Sequence, residues 1–101
     1  MRYNEFKSWL EANTALQAKP ISNAASRAQR IEQGLRINLD LEYQKDGGQY
    51  ILKSLNYSTT DAAHRKMPPL GLVFRPGADI RNGMASLKAA TKLYFAFCKA
   101  T

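Results

Sequence analysis

Apolar residues in the last quarter of the chain recur at three- and four-residue steps and form one broad face of a helix. They are Met84, Leu87, Ala90, Tyr94, Phe97 and Cys98. A second stripe with the same period consists of Ala24, Ala28, Ile31 and Leu35. Because such faces must be buried, the pattern predicts two amphipathic helices, at about 81–99 and 22–36. Pro20 and the Ser22-Asn23 pair are predicted to mark the start of the earlier helix.

Two further segments have weaker helical patterns. In residues 4–16, Phe6, Trp9, Leu10 and Leu16 fall near one face, and Asn4 is a suitable N-cap. Residues 40–56 are predicted to form a helix that Asp40 caps and Asp46-Gly47-Gly48 interrupts. A β-hairpin turning at the same glycines is the alternative, because the flanking residues partly alternate.

Residues 57–80 are the longest irregular stretch, since Pro68, Pro69 and Pro76 exclude a continuous helix. A single turn capped by Thr60 or Asp61 is expected near its start. Further on, residues 70–74 form either an edge strand or a segment that buries Leu72 and Phe74. With no linker or internal repeat, the chain is predicted to be one domain over residues 1–101. The predicted fold is all-α, a compact four- to five-helix bundle with one long loop at about 57–80.

The charge of the chain narrows the choice of partners. Fifteen Lys and Arg residues against eight Asp and Glu give a net charge of +7 and a pI near 9.8. The excess is concentrated in residues 19–38 and 56–101, whereas a surface that only keeps a protein in solution intersperses its signs. A polyanion such as duplex DNA is therefore the favoured partner.

Basic residues on the two clearest helices and in the long loop are the candidate DNA contacts. Lys88, Lys92 and Lys99 fall within about 40° of one another on the last helix, and no carboxylate interrupts that row. The Arg81-Asn82-Gly83 element precedes the row. Asn82 is a suitable cap for the first turn of this helix, and the helix N-terminal N–H groups are offered to an anion. The full predicted set is Arg27, Arg30, Arg36, Arg65, Lys66, Arg81, Asn82, Lys88, Lys92 and Lys99. The alternative is that these side chains are simply solvated helix faces.

Chemistry for catalysis or metal binding is sparse in the sequence. The single histidine, His64, lies beside Arg65 and Lys66, and the eight carboxylates are scattered. Because no metal-ligand spacing, paired-carboxylate site or phosphate-binding glycine loop is present, we expect no catalytic residue, no metal site and no cofactor. The chain by itself is therefore not expected to be an enzyme.

Cysteine usage and hydropathy indicate the compartment. Cys98 is the only cysteine, so no internal disulfide can form and a reducing environment is predicted. No apolar run approaches the roughly 20 residues of a membrane span, and the N-terminal residues lack the apolar core of a signal peptide. We therefore expect a cytoplasmic protein. Binding to a membrane surface is disfavoured, because the apolar faces of the basic helices are needed for the core.

Several short elements resemble a known family. They are Phe6 with Trp9-Leu10, Ser26-Arg27 with Arg30-Ile31-Glu32, Asp46-Gly47, and Ile80-Arg81-Asn82-Gly83 leading into Ser86-Leu87 and Tyr94. Together they resemble the small helical domain at the N-terminus of some bacterial HNH-type and restriction-type endonucleases. The helix order is also similar to that of the core-binding domain of tyrosine recombinases. The resemblance implies a DNA-engaging module of a restriction, defence or mobile-element (phage) protein, with catalysis supplied by a nuclease domain or subunit outside residues 1–101.

The residues and the resemblance together predict a module that binds duplex DNA mainly through phosphates, with any sequence readout coming from Arg30 and its neighbouring glutamines. The alternative is a protein-interaction module, either a phage inhibitor of a host defence complex or a dimerisation domain. That alternative predicts exposed aromatic anchors, with Tyr43, Tyr57 and Phe95 as the candidates. The oligomeric state is left open by the sequence.

Overall fold

In the computed structural model, the described residues are 1–64, 66–68, 72, 74 and 77–101. These residues form six helices and no strand, which confirms the predicted all-α fold and shows that the hairpin alternative is wrong. In chain order the helices are α1 (Tyr3–Asn13), α2 (Ala18–Leu35), α3 (Leu39–Asp46), α4 (Gln49–Ser54), α5 (Thr59–Ala63) and α6 (Ile80–Ala100).

The core is built around α6. Its buried residues are Met84, Leu87, Ala90, Thr91, Tyr94, Phe95, Phe97 and Cys98. Phe6 of α1 packs against Tyr94 and Phe97, with ring centroids 5.0 and 5.7 Å away. On the α3 side, the Phe95 ring stacks on Tyr43 with centroids 6.1 Å apart. The predicted apolar face is thus the side of α6 that the other helices cover, which leaves the opposite side to solvent.

The second predicted stripe packs α2 against its neighbours through small side chains. Ala24, Ala25 and Ala28 are at most 6% exposed, and Ile31 is fully buried. Alanines at a helix contact let two backbones approach closely and keep interaxial distances short. The small side chains of the α2 stripe therefore hold α2 close to α6.

A polar cluster at Asp40 joins α3, α6 and the residue before α1. Its Oδ1 accepts hydrogen bonds from Nη2 of Arg2 at 3.1 Å, from the Tyr94 hydroxyl at 2.8 Å and from Sγ of Cys98 at 3.5 Å. Burial favours the protonated carboxyl, but the hydrogen bonds from Tyr94, Arg2 and Cys98 outweigh it, so the pKa of Asp40 lies below its ordinary value. Burial, together with the hydrogen bond to Asp40, raises the pKa of the Cys98 thiol to about 11.

The helix starts differ from the sequence predictions in α1, α2 and α3. α1 begins at Tyr3, so Asn4 lies inside the first turn rather than at the N-cap. α2 begins at Ala18 and contains Pro20 in its first turn, where a missing N–H costs no intrahelical hydrogen bond. The cap of α3 is Asn38, whose Oδ1 accepts from the N–H groups of Asp40 and Leu41, while the Asp40 side chain serves the polar cluster.

The caps of α5 and α6 also differ from those predicted. Ser58 caps α5: its hydroxyl accepts from the Asp61 N–H at 3.1 Å, and the Asp61 carboxylate accepts from the Ser58 N–H at 2.9 Å. Asp79 caps α6 by accepting from the N–H of Asn82 at 3.2 Å and from its amide group at 2.7 Å. Asn82 therefore donates to the cap instead of being it.

Two glycines interrupt the helix at residues 39–54 as predicted. Gly47 and Gly48 have φ angles of +72° and +82°, in the left-handed region that favours glycine. At Gly48, an added Cβ would lie 2.3 Å from the Phe95 ring. Of the segment 70–74, the described residues are Leu72, which is buried, and Phe74, which packs against the core. The alternative in which these two side chains enter the core is the one observed.

Candidate nucleic-acid interface

Four basic residues lie in one line along the exposed side of α6. Arg81, Lys88, Lys92 and Lys99 are separated by seven, four and seven residues, so they fall within about 40° of one another and span about 27 Å of helix. We call these four residues the α6 basic row. The sequence prediction treated Arg81 as part of an element before this row, but Arg81 belongs to the row because it lies on the same side of α6, seven residues before Lys88.

Most of the α6 basic row is available to a partner. Arg81, Lys92 and Lys99 are exposed, and within the described ranges none of them has a hydrogen bond or an ion pair. Lys88 is half-buried and donates to Oδ1 of Asn56, which follows α4. An ammonium group has three N–H donors, so Lys88 keeps donors for a second acceptor.

Several acidic side chains have partners outside the α6 basic row. α6 contains no acidic residue. Glu32 binds the Met1 amine at 3.0 Å, Asp40 binds Arg2 at 3.1 Å, and Glu42 binds Lys45 at 3.3 Å. The nearest carboxylate in sequence, Asp79, is engaged by Asn82. The basic row is thus not neutralised from within its own helix.

Small side chains separate the α6 basic row from α2. Ala85, Ala89 and Ala96 are exposed on α6. Beyond them lies a groove of about 400 Å³, lined on the α6 side by Ser86, Ala89, Ala90 and Leu93, and on the other side by residues that include Arg27. Arg27 is exposed and, among the described residues, has no ion-pair partner. A partner that contacts α6 would thus meet the α6 basic row on one side of these small residues and Arg27 on the other.

The other two predicted arginines of α2 occupy different positions. The Arg30 guanidinium lies 4.9 Å from the centroid of the Phe74 ring, and this ring occupies the space that a Cβ on Gly83, in the first turn of α6, would need. Arg30 is therefore held near the start of α6. Arg36 is the left-handed residue that ends α2, with φ +54°, and the next N–H, of Ile37, donates to the Glu32 carbonyl. Arg36 lies beyond the helical face that Arg27 and Arg30 share.

The remaining predicted contacts lie around the start of α6. Asn82 follows Arg81, so its side chain points about 100° away from the α6 basic row. Lys66 is exposed, its ammonium is 3.9 Å from Asp61, and it lines a pocket together with Arg81. Arg65 lies outside the described residues. The structure therefore brings Lys66 to the Arg81 end of the row.

The aromatic anchors expected for a protein-interaction module are largely occupied inside the chain. Phe95 is 5% exposed, so its prediction as an exposed anchor is wrong. Tyr43 is half-buried in the stack with Phe95. Tyr57 is half-buried, and its hydroxyl donates to the Lys66 carbonyl. Tyr50 of α4, which the sequence prediction did not select, is 68% exposed.

The described residues offer neither a metal site nor a membrane-spanning helix. Within the described part of the chain, no group of three His, Cys, Asp or Glu side chains could hold a metal ion. The same residues include no helix that is long and apolar enough to cross a bilayer. Comparison of the chain with family models, with curated proteins and with solved structures gave no match.

Proposed function

We propose that this chain binds duplex DNA chiefly through the phosphates, with the α6 basic row as its main contact surface. The observation that carries the proposal is the line of four cations on the exposed side of α6, with no acidic residue in that helix. Phosphate oxygens are the acceptors that such a line fits, since Lys and Arg are among the main donors to phosphates in protein–DNA complexes.

Length and charge of the row support duplex DNA over a small anion. The row extends about 27 Å, which is the axial length of roughly eight base pairs at 3.4 Å per step. Arg27, across the strip of alanines, adds a cation at the side. We count five contacts: Arg27, Arg81, Lys88, Lys92 and Lys99. Five neutralised phosphates give a slope of about −4.5 in log affinity against log salt, or a roughly 500-fold loss of affinity from 50 to 200 mM salt.

The test is fluorescence anisotropy of a labelled duplex titrated with the protein at 50, 100 and 200 mM salt. In the variant Lys92→Glu/Lys99→Glu, two contacts are lost and the slope should fall to about −2.7, with weaker binding at every salt concentration. Both lysines are exposed and lack partners among the described residues, so the variant should keep its fold.

The matched control is Lys7→Glu/Lys45→Glu, which changes the net charge by the same amount. Lys7 lies over the ring of Tyr3 within α1, and Lys45 pairs with Glu42 within α3, so neither belongs to the α6 basic row. The control should keep the slope near −4.5. Equal losses of affinity and of salt dependence in both variants would show that only the net charge matters. That result would refute the row as the contact surface. Absence of binding at 50 mM would refute the DNA function and favour a protein partner.

The wider role follows from the sequence resemblance alone. On that basis, the chain acts as the DNA-engaging part of a restriction, defence or mobile-element system in the cytoplasm, beside a nuclease domain or subunit that performs the cleavage. Adding the purified domain to its nuclease partner should then raise cleavage of the bound DNA, and the Lys92→Glu/Lys99→Glu variant should not.

A further inference from the structure

A pocket opens where the α6 basic row begins. It has a volume of about 630 Å³, within the range of small-ligand sites. The described residues that line it include Tyr57, Lys66, Met67, Asp79 and Arg81. Arg81 belongs both to this pocket and to the row, so a strand that follows the row reaches the pocket at its end.

The lining combines apolar surfaces with two cations. The Tyr57 ring is half-buried and its hydroxyl bonds the Lys66 carbonyl, which fixes the ring in place. Met67 is 81% exposed, an unusual position for a large apolar side chain. Arg81 supplies a positive charge, and Lys66 supplies a second that is shared with Asp61 at 3.9 Å. The Asp79 carboxylate, which also lines the pocket, accepts hydrogen bonds from Asn82.

This combination matches the two parts of a nucleotide. Bases stack on aromatic side chains, and a thioether is polarizable enough to pack against a flat ring. Cations at the rim match a phosphate. A base inside a duplex cannot enter such a pocket, because it is stacked on both faces and paired at one edge.

From these observations we infer that the pocket formed by Tyr57, Met67, Lys66 and Arg81 binds one unpaired nucleotide of a DNA strand that continues from the α6 basic row. The inference rests on the proposed DNA function. It adds a preference for duplexes with single-stranded ends or gaps over fully paired duplexes, because one stacked base adds affinity that the phosphate contacts lack.

The experiment compares three duplexes of identical paired sequence: blunt, with a three-nucleotide 5′ overhang, and with a three-nucleotide 3′ overhang. Affinities are measured by anisotropy at 100 mM salt. One of the overhang duplexes should bind about tenfold more tightly than the blunt one. Tyr57→Leu and Met67→Ser should each remove most of this ratio while leaving the affinity for the blunt duplex within about twofold.

The Met67→Ser variant is decisive if Tyr57→Leu unfolds, because Met67 is 81% exposed and makes little contribution to the core. Leu41→Ser, at a 53% exposed position on α3, is the matched control and should keep the overhang preference. Equal affinity for blunt and overhang duplexes would overturn the pocket and leave the duplex-binding function intact. A preference that survives in both pocket variants would also overturn it. Absence of binding to all three duplexes would overturn both proposals.

Discussion

Gly47 and Gly48, which separate α3 from α4, have nearly the same backbone conformation, but only Gly48 lies against the Phe95 ring. Comparing an alanine substitution at each position therefore measures how much this close packing contributes to the cost of an added Cβ. Alanine at Gly47, with φ +72° and open space around it, should cost only the left-handed backbone strain of about 1 kcal/mol. Alanine at Gly48 carries the same strain and also places a Cβ 2.3 Å from the Phe95 ring. Phe95 is stacked on Tyr43 and buried, so the ring cannot move away without disturbing the core.

Overpacking of this kind adds about 1–3 kcal/mol. We therefore expect Gly48→Ala to lower the free energy of unfolding by about 2–4 kcal/mol, against about 1 kcal/mol for Gly47→Ala. For a domain of this size, 1 kcal/mol corresponds to a Tm change of about 5 °C. Thermal and urea denaturation followed by circular dichroism should then give Tm losses of about 5 °C for Gly47→Ala and about 10–20 °C for Gly48→Ala.

A third variant identifies the cause of the difference. In a Phe95→Ala background, Gly48→Ala should cost no more than Gly47→Ala, because the ring that the new Cβ meets is gone. Equal losses for the two glycine variants in the wild-type background would refute the close packing of Phe95 on the break. If Gly48→Ala remains more destabilising than Gly47→Ala in the Phe95→Ala background, the close packing of Phe95 is refuted as well.

Three further predictions concern single side chains. Because the pKa of Asp40 is depressed in the folded state, its contribution to stability is present above about pH 4 and is lost as the pH falls further. Urea midpoints measured from pH 6 to 3 should show this loss, and the Asp40→Asn variant should show a smaller pH dependence. Arg36→Gly should raise the free energy of unfolding by about 0.5–1 kcal/mol, since glycine relieves the left-handed strain; an unchanged or lower urea midpoint would contradict this. Cys98, with its thiol pKa raised to about 11, should react with Ellman's reagent at pH 8 far more slowly in the native state than in urea; equal rates would show that the thiol is accessible.

Elements that depend on local pattern were predictable from the sequence. The apolar stripes of α2 and α6 have the helical period, and the residues on them are buried as predicted, except Leu35 at the end of α2, which is half-buried. The N-cap residues were harder to predict, because several residues of a suitable type lie near each helix start. Asn38 and Asp40 both suit the α3 cap, and the choice depends on Arg2 and Tyr94, which are distant in sequence and engage the Asp40 side chain.

The candidate interface likewise has one part that the sequence pattern predicts and another that depends on tertiary contacts. The spacing of Lys88, Lys92 and Lys99 places them on one face of any helix that contains them. Whether each cation is already engaged depends on tertiary neighbours, and Asn56, the partner of Lys88, lies 32 residues away. The pocket at Arg81 depends on Tyr57, Lys66 and Met67 lying at the start of α6, and no periodic pattern in the sequence predicts that placement.

The central place of α6 has a consequence for folding kinetics. Its core partners on α1 and α2 precede it by the whole of residues 36–79, so the main hydrophobic contacts form only after a long segment of chain has closed. Helical bundles whose neighbours follow directly in sequence avoid this entropic cost and fold on microsecond to millisecond timescales. We expect this chain to fold more slowly than such bundles despite its helical content, with substitutions at the α2–α6 contact slowing folding and substitutions in α5 chiefly accelerating unfolding.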